Sequence, residues 1–262
     1  MFHNIPKNQY RFHRSESHNK PRHRHHPGDG GVETRVKGTR TVQVVKRVLD
    51  VNEKMAEANR RHFSDHKVWV LNVMSSPGSG KTTLLEKTLA RLSGDIRCAV
   101  IVGDICTTQD ADRLATSGVP VVQINTDAFG GDCHLAAHVI EKAAEGIDLD
   151  EIDLLIVENV GNLVCPAEFD IGEDARAVVL SVTEGEDKPL KYPLMFRECD
   201  VAVLNKIDLL PHLDYDIMLA EGNIHKVHPE MPIWRVSART EEGMAPWLGW
   251  IQEQVRRKLT AS

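Results

Sequence analysis

The chain has 262 residues, of which 41% are hydrophobic and 27% are charged, as is typical of a soluble globular protein with a sizeable core. No apolar run approaches the roughly 20 residues that span a bilayer, and no N-terminal apolar segment marks a signal peptide, so we expect a cytoplasmic protein with no membrane partner. The five cysteines are odd in number and scattered along the chain, which argues against a disulfide framework.

Residues 1–38 differ in composition from the rest of the chain. They are rich in Pro, Gly, Asn and Ser and lack periodic apolar residues, so we expect a disordered tail. The first forty residues carry nine Lys or Arg against three Asp or Glu, which leaves −12 for the remainder when the whole chain carries −6. We expect no nucleic-acid partner, because this charge is modest and no basic domain adjoins it.

Six of the histidines lie in this tail: His3, His13, His18, His23, His25 and His26. Neutral imidazole binds Ni²⁺ and Zn²⁺, so weak metal buffering is one interpretation. The alternative is a basic tail whose histidines have no function.

Residues 41–66 carry apolar side chains at helical spacing, with Thr41 as a candidate N-cap. This helix would open the folded domain, which we expect to extend over residues 39–262. It either packs against the rest of that domain or forms an oligomer contact, and both alternatives stay open.

Residues 75–83, Ser-Ser-Pro-Gly-Ser-Gly-Lys-Thr-Thr, lie between a predicted strand at 68–74 and a predicted helix that Gly94 would cap. Strand, glycine-bearing loop and helix together are typical of a phosphate-binding loop, whose N–H groups converge on phosphate oxygens. Ser75 stands where such loops usually have their first glycine, which a small residue with negative φ permits. The predicted nucleotide contacts are Gly78, Ser79, Gly80, Lys81, Thr82 and Thr83.

Two of these residues have a specific predicted role. Lys81 would reach the β- and γ-phosphates as a catalytic residue, and the Thr82 hydroxyl would hold Mg²⁺.

Strand patterns then alternate with helix patterns along the chain. We predict strands at 98–102, 119–124, 152–157, 177–182, 201–204 and 233–236. We predict helices at 108–116, 133–145 and 243–258. This alternation implies an α/β, three-layer P-loop NTPase fold, with a mostly parallel sheet covered on both faces and a ligand at the carboxyl ends of the strands.

Five residues near the C-terminus predict that the nucleotide is GTP or GDP. The Asp208 carboxylate can accept the N1 and N2 protons of guanine, whereas adenine would leave it buried and unpaired. The Lys206 stem can lie along the base, and the Ala238 N–H can reach guanine O6. The predicted base-binding set, which follows two candidate strands, is Asn205, Lys206, Asp208, Ser237 and Ala238.

Two acidic residues complete the predicted Mg²⁺ and water-activating groups. Asp104 and Glu158 each follow a candidate strand, where a carboxylate can hold Mg²⁺, and Asp104 is a second predicted catalytic residue. Asp110 and Asp112 compete for orienting the attacking water, although an acidic helix N-terminus is the favoured explanation for Asp112. Residues 104–112 form the candidate switch segment, and the Gly161 N–H is a further candidate contact to the γ-phosphate.

Cys133, His134 and Cys165 are candidate metal ligands, because thiolate and imidazole suit tetrahedral Zn²⁺ or square-planar Ni²⁺. Three ligands leave the coordination shell open, so a two-fold dimer could complete it. The alternative is that these are ordinary packed side chains, since no C-x-x-C occurs. Cys98 and Cys199 adjoin strands and are interpreted as structural, and Cys106 is a weaker candidate ligand.

Four stretches closely resemble the hydrogenase nickel-incorporation GTPase family HypB: residues 131–135 (Gly-Asp-Cys-His-Leu), 158–166 (Glu-Asn-Val-Gly-Asn-Leu-Val-Cys-Pro), 181–193 and 205–211. The resemblance covers about residues 41–258. It implies a SIMIBI-type GTPase with slow GTP hydrolysis, a homodimer favoured by GTP, and Ni²⁺ or Zn²⁺ bound by Cys133, His134 and Cys165. It also implies a HypA-type nickel chaperone as partner and a [NiFe]-hydrogenase large-subunit precursor as recipient.

The chain departs from some of these relatives, because no cysteine precedes Cys98 and their N-terminal C-x-x-C-G-C site is therefore absent. Two alternatives remain: a urease-type nickel GTPase, and a nickel or zinc storage protein with incidental GTP binding. The apolar residues Leu209, Leu210 and Leu213 are either a dimer surface or part of the core.

Overall fold

The computed structural model describes residues 39–104, 109–125 and 134–261, with the first nine of these residues and Asp104 described as backbone only. The described residues contain one seven-stranded sheet whose paired strands all run parallel, in the order β3-β2-β4-β1-β5-β6-β7. The strands are β1 (Trp69–Ser75), β2 (Cys98–Asp104), β3 (Val121–Asn125), β4 (Leu154–Gly161), β5 (Ala175–Ser181), β6 (Val201–Asn205) and β7 (Ile233–Arg235).

Helices connect and flank these strands. The longer ones are α1 (Thr39–Asp65), α2 (Lys81–Leu92), α8 (Ile217–Val227) and α9 (Met244–Thr260). The shorter ones are α3 (Gln109–Ala115), α4 (Ala137–Ala144), α5 (Cys165–Glu168), α6 (Lys188–Lys191) and α7 (Pro193–Glu198). None of the described helices combines the length and the apolar composition needed to span a bilayer.

The sheet is buried on both faces, which explains why its central strands are apolar without alternation. Leu71 and Val73 of β1 pack on one face with α2 and α9, where Trp247 is fully buried. Val70 packs on the other face with α1 and α4. Because successive strand residues point to opposite faces, one strand contributes to both cores.

Helix α1 packs against the sheet, which is one of the two alternatives that its sequence left open, while an oligomer contact stays a prediction. Phe63, near its C-terminal end, is buried in a cluster with Val68 and Leu155. The helix begins at Thr39, so Thr41 lies inside it and the predicted N-cap at Thr41 is wrong. The first residues of a helix are set by local hydrogen bonding, which sequence patterns locate only within a residue or two.

The predicted strands and helices are all present, with bounds that differ by no more than four residues. Helix α2 ends at Leu92 with Ser93 as its C-cap, so Gly94 does not have the predicted role. Strand β4 continues to Gly161, so Glu158 lies within a strand rather than after one. Cys165 is the first residue of α5 rather than a loop residue.

Helices α5 to α8 have no counterpart in the predictions, because three of them are six residues or shorter and show no helical period. The predicted helix at 133–145 begins at Ala137, so His134 precedes it. The predicted tail at residues 1–38 lies outside the described residues, and with it the six histidines.

Candidate functional site

The loop between β1 and α2 has the backbone that its glycines predict. Gly78 and Gly80 have φ of 74° and 88°, the left-handed region that favours glycine. A Cβ on Gly80 would lie 2.6 Å from Asn205 Nδ2, so a side chain is excluded there for a second reason. The described non-glycine residues with positive φ are Lys67, Lys206 and Glu241, so Ser75 meets the condition set for replacing the first glycine.

Glu158 joins the two residues that the sequence assigned to phosphate and Mg²⁺. Its Oε1 accepts hydrogen bonds from Lys81 Nζ at 2.8 Å and from Thr82 Oγ1 at 2.7 Å. The side chain is only 1% exposed. Among the described residues, its Oε2 and Ser79 Oγ are the buried side-chain oxygens without a protein partner. A buried carboxylate oxygen with no partner beside a Thr hydroxyl is a suitable donor set for Mg²⁺, which takes oxygen ligands.

A cavity of about 490 Å³ lies over this loop. Its lining includes Asp110 and Arg113 of α3 as well as Lys206. Asp110 therefore lies where the sequence placed a group that orients water. Asp110 and Asp112 both stand in the first turn of α3, which is also the position that the helix dipole favours for acidic residues.

Asp104 is the last residue of β2, as predicted, and pairs in register with Asn125 of β3. The side chain of Asp104 and residues 105–108 of the candidate switch segment lie outside the described part. Its predicted contact with Mg²⁺ therefore stays a prediction. At the end of β4, Gly161 lies against the loop, since a Cβ there would be 3.2 Å from Pro77 Cα.

Asn205 connects the phosphate loop to the candidate base site. Its Nδ2 donates to Ser79 O at 3.0 Å, and its Oδ1 accepts from the N–H of Ala238 at 3.0 Å and of Lys206 at 2.8 Å. The Ala238 N–H, which the sequence assigned to guanine O6, is thus engaged by Asn205 in the structure. Contact with O6 requires this N–H to be shared or released.

Asp208 and Lys206 line a second cavity, of about 300 Å³, beside the phosphate loop. Asp208 Oδ1 accepts a hydrogen bond from Ser237 Oγ at 2.7 Å, so the hydroxyl orients the carboxylate. Lys206 has a left-handed backbone, with φ of 65°, and its Nζ donates to Gly78 O at 2.6 Å. Gly80, Thr83 and Lys206 line both cavities, which places base and phosphate pockets side by side.

The sequence patterns predict no role for Glu184 or Arg113. Ser76 Oγ in the phosphate loop donates to Glu184, whose Oε1 also accepts from the Ser181 N–H at 3.0 Å. Arg113 NH2 donates to Thr83 Oγ1 at 3.0 Å. Glu184 follows β5, so its position after a strand was the available signal. Arg113 carried none, because only the tertiary structure brings α3 beside α2.

A ring contact links His134 to the segment that begins at Cys165. The His134 ring stacks on Phe169, with centroids 3.8 Å apart and planes 26° apart. Phe169 directly follows α5, the helix that Cys165 begins. Cys133 lies outside the described residues, and no group of three His, Cys, Asp or Glu side chains suited to a metal occurs among the residues that are described.

Cys98 and Cys199 lie in the protein interior. Both thiols are buried, and this burial raises the pKa of Cys98 to about 12 and also raises the pKa of Cys199. Such thiols stay protonated and are poor metal ligands at neutral pH. Cys106 lies outside the described residues.

Proteins with similar sequences and a similar fold are known. Residues 69–235 match the family described as CobW/HypB/UreG, nucleotide-binding domain. Over 232 residues the chain is 49% identical to the hydrogenase maturation factor HypB of Escherichia coli K12, covering 87% of this chain and 79% of that protein.

Two solved structures are similar as well. The HypB of Archaeoglobus fulgidus is 33% identical with a TM-score of 0.73, covering 79% of this chain and 99% of that one. The HypB of Helicobacter pylori, described as a complex with nickel, is 38% identical with a TM-score of 0.73, covering 80% and 99%. The predicted three-layer P-loop NTPase fold with a mostly parallel sheet is confirmed by the seven-stranded parallel sheet and by these two neighbours.

Proposed function

Because the chain belongs to the HypB hydrogenase maturation factors of the CobW/HypB/UreG nucleotide-binding family, we propose that it is a GTP-hydrolysing metallochaperone that delivers nickel to [NiFe]-hydrogenase precursors. In this proposal GTP and Mg²⁺ bind at the phosphate loop, and nickel is the cargo, bound by Cys133, His134 and Cys165. Nucleotide state and dimerisation together control how tightly the metal is held.

The observation that carries this proposal is the arrangement around Glu158. A buried carboxylate positions both Lys81 and Thr82 while presenting one unpartnered oxygen. When bound, Mg²⁺ would neutralise charge on the phosphates. Lys81 would bind the phosphates, and Thr82 with Glu158 would hold the metal. The adjoining cavity with Asp208 supports guanine as the base.

The metal part of the proposal rests on two facts. A relative with 38% identity has been solved as a complex with nickel, and His134 lies against the segment that begins at Cys165. The third ligand, Cys133, immediately precedes His134 in the sequence. Thiolate and imidazole ligands suit Ni²⁺ and also Zn²⁺.

Coupling between nucleotide and metal requires that GTP bind the two metal states with different affinity. The candidate switch segment begins at Asp104, and the neighbouring Gly103 lies under Leu135, since a Cβ there would be 2.8 Å from a Leu135 methyl. Leu135 directly follows His134 in the chain. A displacement of the backbone at the end of β2 would therefore move the residue next to a proposed ligand. A HypA-type nickel chaperone is the proposed donor partner.

The decisive experiment is a Ni²⁺ and Zn²⁺ titration with and without GTP·Mg²⁺. The mass of the protein in solution is measured in parallel, because it reports dimerisation. It uses the full chain with the six tail histidines replaced by alanine, so that the tail does not bind the metal. We expect a nucleotide-dependent change in affinity that disappears in Cys133→Ala. Equal affinities in both nucleotide states would contradict the gated carrier.

Storage is the second candidate, because the six histidines of residues 1–38 are a plausible loose nickel store. A Lys81→Ala variant that still matures hydrogenase in cells would favour storage over GTP-driven delivery. The family also includes UreG, so a urease recipient is tested in the same cells. We expect hydrogenase to lose its nickel in the Lys81→Ala strain.

A further inference from the structure

Two buried asparagines of α1 lie between the two segments that carry the proposed metal ligands. Asn52 and Asn59 are seven residues apart, two turns of helix, and therefore share one face of α1. Asn52 is 8% exposed and Asn59 is 3% exposed. Burying an amide is unfavourable unless its polar atoms are hydrogen-bonded, so the partners of these two side chains indicate their role.

Asn52 bridges the two segments with the two ends of its amide. Its Oδ1 accepts a hydrogen bond from the N–H of Ala137 at 2.9 Å, and its Nδ2 donates to Asp170 O at 2.7 Å. Ala137 is three residues after His134, and Asp170 is five residues after Cys165. One partner is a donor and the other an acceptor, so both bonds require the same orientation of the amide.

Asn59 forms a second bridge between the same two segments, two turns further along α1. Its Nδ2 donates to Ala137 O at 2.8 Å and to Ile171 O at 3.0 Å. The second segment passes directly over this side chain, since a Cβ on Gly172 would be 2.5 Å from Asn59 Cβ. The N–H and the carbonyl of Ala137 are thus each held by an asparagine side chain from α1.

The far end of the bridged segment is anchored in the sheet. Glu173 Oε2 accepts the Ile171 N–H at 2.8 Å, and its Oε1 accepts from Asn72 of β1 at 3.1 Å. Asn159, which follows Glu158 in β4, donates to Asn72 Oδ1 at 3.2 Å. The segment after Cys165 is therefore tied to the strands that carry the nucleotide site.

We propose that Asn52 and Asn59 are positioning residues of the metal site, which hold His134 at a set distance from Cys165 without binding the metal themselves. The inference rests on the proposed role of Cys133, His134 and Cys165. Metal ligands are held by hydrogen-bonded neighbours, and loss of such neighbours typically weakens metal affinity about 10- to 100-fold. Here the bridge acts through backbone groups near the ligands, and the His134–Phe169 stack is a further contact between the segments.

The test compares Asn52→Ala and Asn59→Ala with the parent, in the full chain with the tail histidines replaced. Ni²⁺ affinity, the thiolate-to-nickel absorption bands and GDP affinity are measured for each protein. We expect affinity for Ni²⁺ to fall by roughly 10-fold or more and the absorption bands to shift, while GDP affinity stays within about 2-fold.

The matched control is Thr88→Val, which removes a buried hydroxyl that accepts from Trp247 Nε1 at 2.8 Å on the other face of the sheet. It weakens folding without touching either ligand segment, so its nickel bands stay those of the parent. A variant that only loses folding stability therefore keeps the nickel bands of the parent, whereas a variant that loses the ligand geometry does not.

If an alanine variant does not fold, Asn52→Gln or Asn59→Gln replaces it, because glutamine keeps the amide and displaces it by one methylene. Parent-like nickel affinity and bands in the folded asparagine variants would overturn the inference. A parent whose nickel binding is insensitive to both Cys133→Ala and His134→Ala would instead overturn the proposed function, and the two failures are distinguishable.

Discussion

At the scale of single residues, Asn205 shows how one side chain unites two pockets. It holds the phosphate loop through Ser79 O and the candidate base site through Ala238 N. Asp208 stands at the far side of the base pocket, where Ser237 orients it. The sequence pattern identified both residues, but it assigned the Ala238 N–H to the base rather than to Asn205.

The Asp208→Asn variant tests the proposed base contact. An asparagine amide cannot accept both guanine donors, whereas it can pair with the carbonyl of xanthine. We expect GTP affinity to fall by about 2–3 kcal/mol, roughly 100-fold, and affinity for xanthosine triphosphate to rise. Fluorescent-nucleotide competition measures both.

Arg239→Ala is the control for this experiment. Arg239 lines the same cavity, but its guanidinium is 4.0 Å from Asp208 and 81% exposed. Exposed pairs contribute little, so GTP affinity stays near that of the parent. Unchanged guanine preference in Asp208→Asn would remove Asp208 from base recognition.

At the scale of the elements, an ion pair joins the starts of β2 and β4. Arg97 NH2 donates to Asp153 Oδ1 at 2.7 Å, and the Arg97 N–H donates to Oδ2 at 3.0 Å. The hydrogen bond from the Arg97 side chain lowers the pKa of Asp153 below its usual value. A carboxyl group with a lowered folded pKa stabilises the fold above the unfolded pKa, near 4, and loses that effect as pH falls through the folded pKa.

The Asp153→Asn variant should therefore be less stable than the parent at pH 7, and the difference should narrow as pH falls below about 4. Urea unfolding at several pH values measures the difference in free energy of unfolding between the variant and the parent. Glu151→Gln is the control, because Glu151 is exposed and 3.9 Å from Arg97. Its free energy of unfolding should therefore stay close to that of the parent at every pH. A gap for Asp153→Asn that does not depend on pH would contradict the assignment.

The contact of α1 with the segment before β5 is equally specific. Gly172 has φ of 91°, and a Cβ there would lie 2.7 Å from Ala56 O and 2.5 Å from Asn59 Cβ. Arg60 of the same helix pairs with Asp170, which lies in that segment. A close approach of backbone to helix at this point needs glycine on both grounds.

Gly172→Ala should cost several kcal/mol of folding free energy, since left-handed backbone costs about 1–2 kcal/mol and the overlap adds to it. Gly118→Ala is the matched control, because Gly118 has φ of 78° and nothing within 4 Å of its Cβ position. Denaturant unfolding measures both variants. Equal losses of folding free energy in the two variants would show that α1 moves to accommodate the added methyl group.

At the scale of the whole molecule, the described surface has an apolar area next to the base pocket. Leu209 and Leu210 are half-buried and Leu213 is 38% exposed, so none of the three belongs to the buried core. Leu209 also lines the base cavity. This position is compatible with the proposed dimer surface, and a nucleotide in the adjoining cavity would lie beside Leu209.

Leu213→Asp should leave the protein folded and weaken its self-association in the presence of GTP, because it places a charge on an apolar contact. Sedimentation velocity over a range of concentrations measures the change. Leu259→Asp is the control, as Leu259 has similar exposure on α9, away from the base pocket. Equal association of Leu213→Asp and the parent would exclude this surface as the dimer contact.

Local patterns were enough to predict the parallel α/β fold and the nucleotide-binding loop, whereas the guanine-binding residues stay a prediction. Buried parallel strands are continuous apolar runs, and the loop's glycines have no substitute at positive φ, so both leave a clear signal in the sequence. The family resemblance was confirmed by proteins of known sequence and structure. Short helices such as α5 and α6 leave no periodic signal, and they were missed for that reason.

Only the tertiary structure decided how distant segments meet. Glu158 was predicted to follow its strand, yet it lies inside β4, where it reaches Lys81 and Thr82 at once. The helical pattern of residues 41–66 gave no sign of the partners of Asn52 and Asn59, which lie 78 to 118 residues away. A pattern within one helix records which face is buried, whereas the partner of a buried amide depends on where the rest of the chain folds.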